Sequence, residues 1–336
     1  MPSISVVVPV YQAELNLRAL YGELIPAIEA ITDTFEIVLV EDCSKDRSWE
    51  IICELAAQDA RVRGFRFHRN FGQHHALLCG IIAARCEVIV TVDDDLQHPV
   101  DHIKRLIDKL QDGYDVVYGT PEEEVHSLMR NAASVLTKLT LSRVMGLETA
   151  RKASAFRAFR TALREGFGHY RGMAASVDVF LAWTTDRFAT VDVPHRPRAA
   201  GKSGYTFRKL ASHAWNIATG LSTFPLKISA VIGFVFTFLG VVALGWVLAE
   251  YMVNGIVMPG FTFLASVIVI FSGVQLFALG VIGEYLGRLY LQSFDRPPFL
   301  VRETCGVAEA EFSDRSRHQT ASSVTLSPVA PKGAQC

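Results

Sequence analysis

No sign of charge dominates this chain: 33 Lys and Arg stand against 34 Asp and Glu, a formal net charge of -1. Without a basic excess there is no field to gather a polyanion, which argues against nucleic acid as a partner. Cysteine is scarce and unpatterned. Cys43, Cys53, Cys79, Cys86, Cys305 and Cys336 form no C-x-x-C pair and no metal-ligand spacing, so they read as reduced thiols of a cytosolic domain. The first residues, Met1 to Tyr11, lack a basic n-region, and the apolar run Ile4–Val10 is short and strand-like, unlike a signal peptide. No G-x-G-x-x-G follows that run, so the dinucleotide fingerprint is absent.

What the chain has is apolar bulk. Hydrophobic residues make up 50% of it and the mean hydropathy is +0.25, which points to membrane segments. Its 336 residues leave room for an α/β domain and something more, at ~150 residues per domain.

The stretch Val88-Ile89-Val90-Thr91-Val92 reads as a strand buried on both faces, and it ends in Asp93-Asp94-Asp95-Leu96-Gln97-His98-Pro99. Three adjacent carboxylates repel one another unless a cation joins them. Hard oxygen ligands on a short turn suit Mg²⁺ or Mn²⁺, and the spacing lets Asp93 and Asp95 face the same way with Asp94 directed elsewhere. A solvated turn, with Asp94 or Asp95 capping the next helix, is the competing reading.

Other strands alternate with helices: Ile4 to Tyr11, a helix from Glu14 to Ala30, Phe35–Val40, a helix carrying Trp49, Ile52 and Leu55, Val62–His68, a helix ending near Ala84, and Val116–Gly119. This order predicts an α/β fold with a mostly parallel sheet and right-handed crossovers, over a domain of residues 1–206. After Gly119, Glu122 to Gly146 reads as helical with Arg130, Lys138 and Arg143, and Phe188–Val193 follows as a strand piece. A basic loop with prolines and glycines then runs from Pro194 to Gly204 through Arg196, Arg198 and Lys202.

Residues 207–225 can form an amphipathic helix lying in a membrane interface. Residues 226–290 hold two uncharged runs, Ile228–Ala249 and Phe261–Gly283, each long enough for one crossing. Their connection, Glu250–Gly260, has no Lys or Arg, whereas Arg208, Lys209, Lys227, Arg288, Arg296 and Arg302 flank them. The positive-inside rule places the connection outside and both termini in the cytoplasm, as a multi-pass protein of the plasma membrane. A buried pair of soluble helices is the alternative. Residues 291–336 read as a largely disordered tail.

At the carboxyl edge of the sheet this order gathers Tyr11 and Glu14, Asp42, Asn70, then Asp93, Asp95 and Gln97. Such an edge is where open α/β sheets bind ligands. The early turns can read a base and ribose, and a cation-holding turn can take a diphosphate. Asp42 could accept the imide N–H of uracil or cap a helix, and Asp46 is more often only a cap. Tyr11 could stack on the base or simply pack; Glu14 could bind ribose or sit where acids favour a first helical turn. Arg196, Arg198 and Lys202 could neutralise phosphates or meet anionic lipid head groups. His74, His75, His98 and His102 read as packing or surface residues.

Pro9-Val10-Tyr11 with Glu14, Glu41-Asp42-x-Ser44-x-Asp46, Asn70-x-Gly72 and Asp93-x-Asp95-Leu96-Gln97-x-Pro99 together resemble the motif series of family-2, GT-A-fold inverting glycosyltransferases. The resemblance is to the polyprenyl-phosphate branch: dolichyl-phosphate mannose synthases and bacterial undecaprenyl-phosphate transferases. Asn70-Phe71-Gly72-Gln73-His74 looks closest to those moving glucose or 4-amino-arabinose, and Gly283-Glu284-Tyr285-Leu286-Gly287-Arg288 is similar to the two-helix bacterial members. The resemblance spans residues 4 to about 302.

It implies a cation held by Asp93, Asp95 and Gln97, a donor site including Pro9, Tyr11, Glu14, Asp42, Asn70 and Asp93, and lipid-phosphate contacts at Arg130 and Ser154. It also brings a homotetramer as one assembly. Asp94, Glu41, Cys43 and Ala155 depart from the smaller or different residues usual at those places. The implied reaction is inverting transfer from a UDP-sugar to polyprenyl phosphate. The alternatives are a mannose synthase using GDP-mannose and a non-catalytic lipid-binding scaffold. A processive polysaccharide synthase is disfavoured, because Trp183 and Trp215 lack a Gln-x-x-Arg-Trp context.

Overall fold

A computed structural model describes residues 1–121, 154–167, 170, 176–194, 224–254, 260–292 and 297–306. The expected Glu122–Gly146 helix with Arg130, the basic loop with Arg196, Arg198 and Lys202, and all but Phe224 and Pro225 of the expected interfacial helix at 207–225 lie outside those residues.

The apolar runs become strands of one sheet: β1 (Ile4–Val10), β2 (Phe35–Glu41), β3 (Val62–Phe67), β4 (Val88–Thr91), β5 (Val116–Pro121), β6 (Arg157–Arg160), β7 (Phe188–Val193) and β8 (Val301–Cys305). The order across the sheet is β7-β5-β6-β4-β1-β2-β3-β8. β1 lies between β2 and β4 and runs parallel to both, with Val7 opposite Val38 and Thr91. Successive strands leave β1 in opposite directions, which opens a crevice at their carboxyl ends.

Both faces of these strands are covered, which is why they read as continuous apolar runs rather than alternating ones. One face packs α1 (Leu17–Glu29), α2 (Ser48–Gln58) and α4 (Ile103–Gln111) through Leu20, Ile52 and Leu106 against Val6 and Val8. The other packs α3 (Gln73–Ala83) and α5 (Val177–Thr184) through Leu78 and Phe180 against Val7, Val38 and Ile89. Gly80 sets how close α3 comes, since a Cβ there would lie 2.3 Å from Val7 Cγ1. At the amino edge a buried carboxylate, Glu36, accepts from Ser5 Oγ at 2.7 Å, Arg63 Nη1 at 2.8 Å and the Arg85 N–H at 2.6 Å.

Two strands differ from the sequence expectation. β6 inserts antiparallel between β4 and β5, pairing Thr91 with Arg157 and Val117 with Ala158; its four residues are two arginines around Ala-Phe, too short and charged to announce a strand. The sheet is therefore mixed, with β6 antiparallel to both of its neighbours. β8 corrects the reading of 291–336 as one tail: Gly64 pairs with Cys305 and Arg66 with Glu303 in an antiparallel ladder. Glu303 also meets Arg66 at 3.6 Å, and Phe299 stacks on Phe67 with ring centroids 5.3 Å apart. Those partners lie more than two hundred residues upstream, so local composition could not reveal them.

The two apolar runs form long helices, α6 (Phe224–Asn254) and α7 (Phe261–Gln292). They pack on one another, with Phe236 and Phe271 edge-on at 6.5 Å. Gly240 permits this approach; a Cβ there would meet the Phe271 ring at 2.6 Å. Within α7, Ile270–Gly287 is apolar enough to cross a membrane, with mean hydropathy 1.4 and none of it buried, while α6 has a shorter apolar run, Ser229–Val242.

Candidate active site at the carboxyl edge of the sheet

The ends of β1 to β4 surround a cavity of about 260 Å³ whose wall includes Pro9, Tyr11, Asp42, Asn70, Asp93 and Asp95. Five of these belong to the expected donor site, and Asp95 to the expected cation site. Glu14 does not line the cavity. Its N–H donates to Asp46 Oδ2 at 3.1 Å and its own carboxylate accepts the Arg47 N–H at 3.0 Å, so it ties the entry of α1 to the turn before α2. Asp46, one residue before the N-cap position Arg47, also accepts the Ser48 N–H at 3.2 Å.

Among the described residues three non-glycine residues have positive φ, and each follows a strand at this edge: Gln12 (54°), Cys43 (58°) and Leu96 (59°). Left-handed backbone is disfavoured for such residues and clusters where function demands it. Side-chain acceptors hold the turns in place. The Gln12 N–H donates to Ser44 Oγ at 2.9 Å, the Ala13 N–H to Ser48 Oγ at 3.0 Å and the Gln97 N–H to Asp95 Oδ1 at 3.2 Å. Glu41, wholly buried, accepts the Ser44 N–H and is paired with Arg66 at 3.1 Å. The departures Glu41 and Cys43 thus belong to one pinned turn that presents Asp42.

Asp42 is buried, and its two oxygens accept the Phe71 N–H at 2.7 Å and the Gly72 N–H at 2.8 Å. Burial pushes its carboxyl up to about 6, against the pull of those two donors. Each oxygen keeps a further lone pair. Gly72 has a φ of 95°, a conformation L side chains rarely adopt, and it turns the chain into α3.

Asp93 is pushed up to about 7, first by burial and then by Asp95 and Asp94. Its Oδ1 accepts from Gln73 Nε2 at 2.7 Å. Asp94 also lines the cavity, and its Oδ2 accepts the Tyr11 N–H at 3.0 Å, which fastens the end of β1 to the acidic turn. Tyr11 is 48% exposed at the mouth. Among the described residues no three His, Cys, Asp or Glu side chains are arranged to hold a metal by themselves. Two neighbouring carboxylates, Asp93 and Asp95, fit a hard cation that draws its remaining ligands from substrate phosphates and water.

Behind Asp93 lies a group that sequence reasoning passed over. Arg157 is 1% exposed; its Nε donates to Thr91 Oγ1 at 3.1 Å and its Nη1 to Asp178 Oδ1, which also accepts from Tyr118 Oη at 2.9 Å. Its charge favours ionised Asp93. Ser154, expected to touch lipid phosphate, accepts the Phe156 N–H at 3.2 Å and sits at the entry to β6. His98 stacks on Phe156 with centroids 5.3 Å apart, a packing role. The sequence sign of Gln73 was its place in the Asn70-Phe71-Gly72-Gln73-His74 motif, read for other residues.

Comparison with known proteins then places the chain. Residues 5–166 match the glycosyl transferase family 2 model, and residues 224–289 match that of the GtrB C-terminal hairpin. The chain is 32% identical over 315 residues to the undecaprenyl-phosphate 4-deoxy-4-formamido-L-arabinose transferase of Pectobacterium carotovorum, covering 91% of this chain and 94% of that one. It is 30% identical over 331 residues to the protein of the same name from Pseudomonas paraeruginosa, covering 98% of each. Among solved structures, glucosyl-3-phosphoglycerate synthase of Mycobacterium tuberculosis is 17% identical, with 66% of this chain and 79% of that one covered and a TM-score of 0.48.

Proposed function

The chain belongs to glycosyl transferase family 2, and on that footing we propose that it transfers a sugar, with inversion, from a UDP-sugar to undecaprenyl phosphate at the cytoplasmic face of the membrane. One observation carries the reading. The described cavity wall brings four carboxylates, Asp42, Asp93, Asp94 and Asp95, and no Lys or Arg. A diphosphate enters such a place only with a divalent cation between it and the acids.

Asp93 and Asp95, with Gln97 beside them, would hold Mg²⁺ or Mn²⁺, which when bound neutralises the departing nucleoside diphosphate. Asp42 offers its remaining lone pairs to the imide N–H of the base, and Tyr11 offers a ring face at the mouth. The acceptor needs little activation, because a phosphate monoester has a second pKa near ~6 and is largely dianionic at neutral pH. An acceptor oxygen attacks the anomeric carbon as the bond to the diphosphate breaks, and UDP leaves with that electron pair. Arg130, Arg196, Arg198 and Lys202 would steady the two phosphate groups.

The hairpin and the names of the relatives support the lipid acceptor, and 4-deoxy-4-formamido-L-arabinose is the first sugar to try. The test is release of UDP by the full chain in lipid nanodiscs with Mn²⁺, undecaprenyl phosphate and a panel of UDP-sugars. Release that requires both cation and lipid is expected. Turnover of GDP-mannose alone would move the protein to the mannose-synthase reading, and no turnover of any donor would leave the scaffold reading.

A further inference from the structure

We infer that Gln73 is a positioning residue for the cation, fixing the Asp93 carboxylate through its Oδ1; this rests on the reading of Asp93 and Asp95 as cation-holding. The contact is specific: Gln73 Nε2 donates to Asp93 Oδ1 at 2.7 Å, and both residues line the cavity. Gln73 is the first residue of α3, so its reach is set by the turn before it. Asp42 anchors that turn by accepting the Phe71 and Gly72 N–H groups, and Gly72 bends it at a φ of 95°. The segment from Asn70 to Gln73 therefore links the carboxylate at the base end of the cavity to the carboxylate at the cation end.

The side-chain type suits the task. A Lys or Arg at this place could also hold Asp93, but its charge would cancel the field that attracts a divalent ion. A carboxamide donates without adding charge. It also leaves Asp93 its remaining lone pairs, two on Oδ2 and one on Oδ1. Groups that orient a liganding carboxylate in this way typically change metal affinity by about 10–100-fold when removed.

The test is Mn²⁺ titration of the full-length protein in detergent, following free Mn²⁺ by electron paramagnetic resonance, beside steady-state UDP release. Gln73→Met keeps the volume and removes the donor. It should raise the Kd for Mn²⁺ and the KM for Mn²⁺ by about 10–100-fold, with kcat at saturating Mn²⁺ within about threefold of the parent. Gln73→Lys, which restores a donor but adds charge, should bind Mn²⁺ no better than Gln73→Met. If Gln73→Met does not fold, Gln73→Asn, one methylene too short to reach, gives the same readout. A parental Kd in these variants, or a fall in kcat with Kd unchanged, overturns the inference while leaving the cation site intact. Absence of Mn²⁺ binding in the parent protein overturns the cation reading itself.

Discussion

Asp95 and Arg157 illustrate opposite ways in which a single side chain matters here. Asp95 belongs to an acidic turn that lines the cavity, so its removal should leave the fold intact and weaken cation binding there. Asp95→Ala is expected to lower cation-dependent UDP release at least about 100-fold with little change in thermal unfolding; unchanged release would show that the cation sits elsewhere. Arg157 is the reverse case. It is fully buried and bonded to Asp178 and Thr91, and replacing one member of a buried pair strands the other charge. Arg157→Met should destabilise the domain by about 3–5 kcal/mol, read as a large fall in melting temperature. The acids were legible because three consecutive Asp after a β-branched run is a chemical statement made locally. Arg157 and Gln73 were not, because their partners lie 66 and 20 residues away, and only the folded sheet decides which of many polar residues meet.

At the scale of elements, the buried strands and the helices between them followed from periodicity. β6 and β8 did not. Each is short and carries charge, and each exists because a neighbouring strand offers an open edge. β8 covers the outer edge of β3, and the His68 N–H beyond that strand donates to Leu300 O at 3.1 Å. The same strand delivers Asn70, Gly72 and Gln73 to the cavity. A chain stopped after Gly306 should therefore keep nucleotide binding, whereas one stopped after Gln292 exposes the β3 edge and should lose it, with aggregation as the visible result. Equal binding by both, measured by UDP-dependent thermal shift, would reduce β8 to an ornament of the sheet. A second link joins α1 to the turn before β3, where Tyr21 Oη donates to Asp59 Oδ2 at 2.9 Å and Arg61 Nη2 to the same oxygen at 2.8 Å. Hydrogen bonds from Arg61 lead in pulling the Asp59 carboxyl down to about 2. Because the folded value lies below the unfolded value of about 4, the contribution is complete above that pH and is lost as pH falls toward 2. Asp59→Asn should flatten that part of a melting-temperature profile and leave the acid limb less steep.

For the whole molecule, β8 constrains the path of the chain. The strands β1–β7 precede α6, and β8 follows α7, yet all eight belong to one sheet. The hairpin must therefore leave and return on the same side of the bilayer, whatever its depth. At 31 and 32 residues, the helices are each about 45–48 Å long, beyond the ~30 Å of a hydrocarbon core. Their connection carries no Lys or Arg, so on the proposed membrane reading it is the end expected to cross. On that reading an acceptor lipid anchored in the bilayer would present its phosphate at the surface to which the sheet domain is tethered, the arrangement a soluble donor and a membrane acceptor require. Alkaline phosphatase inserted after Met258 should consequently be active, and green fluorescent protein fused after Cys336 should fluoresce in the same cells. Fluorescence with an inactive insertion would mean that the hairpin lies in the interface without crossing. A dark C-terminal fusion with an active insertion would mean an odd number of crossings, which could not be reconciled with the pairing of Gly64 and Cys305.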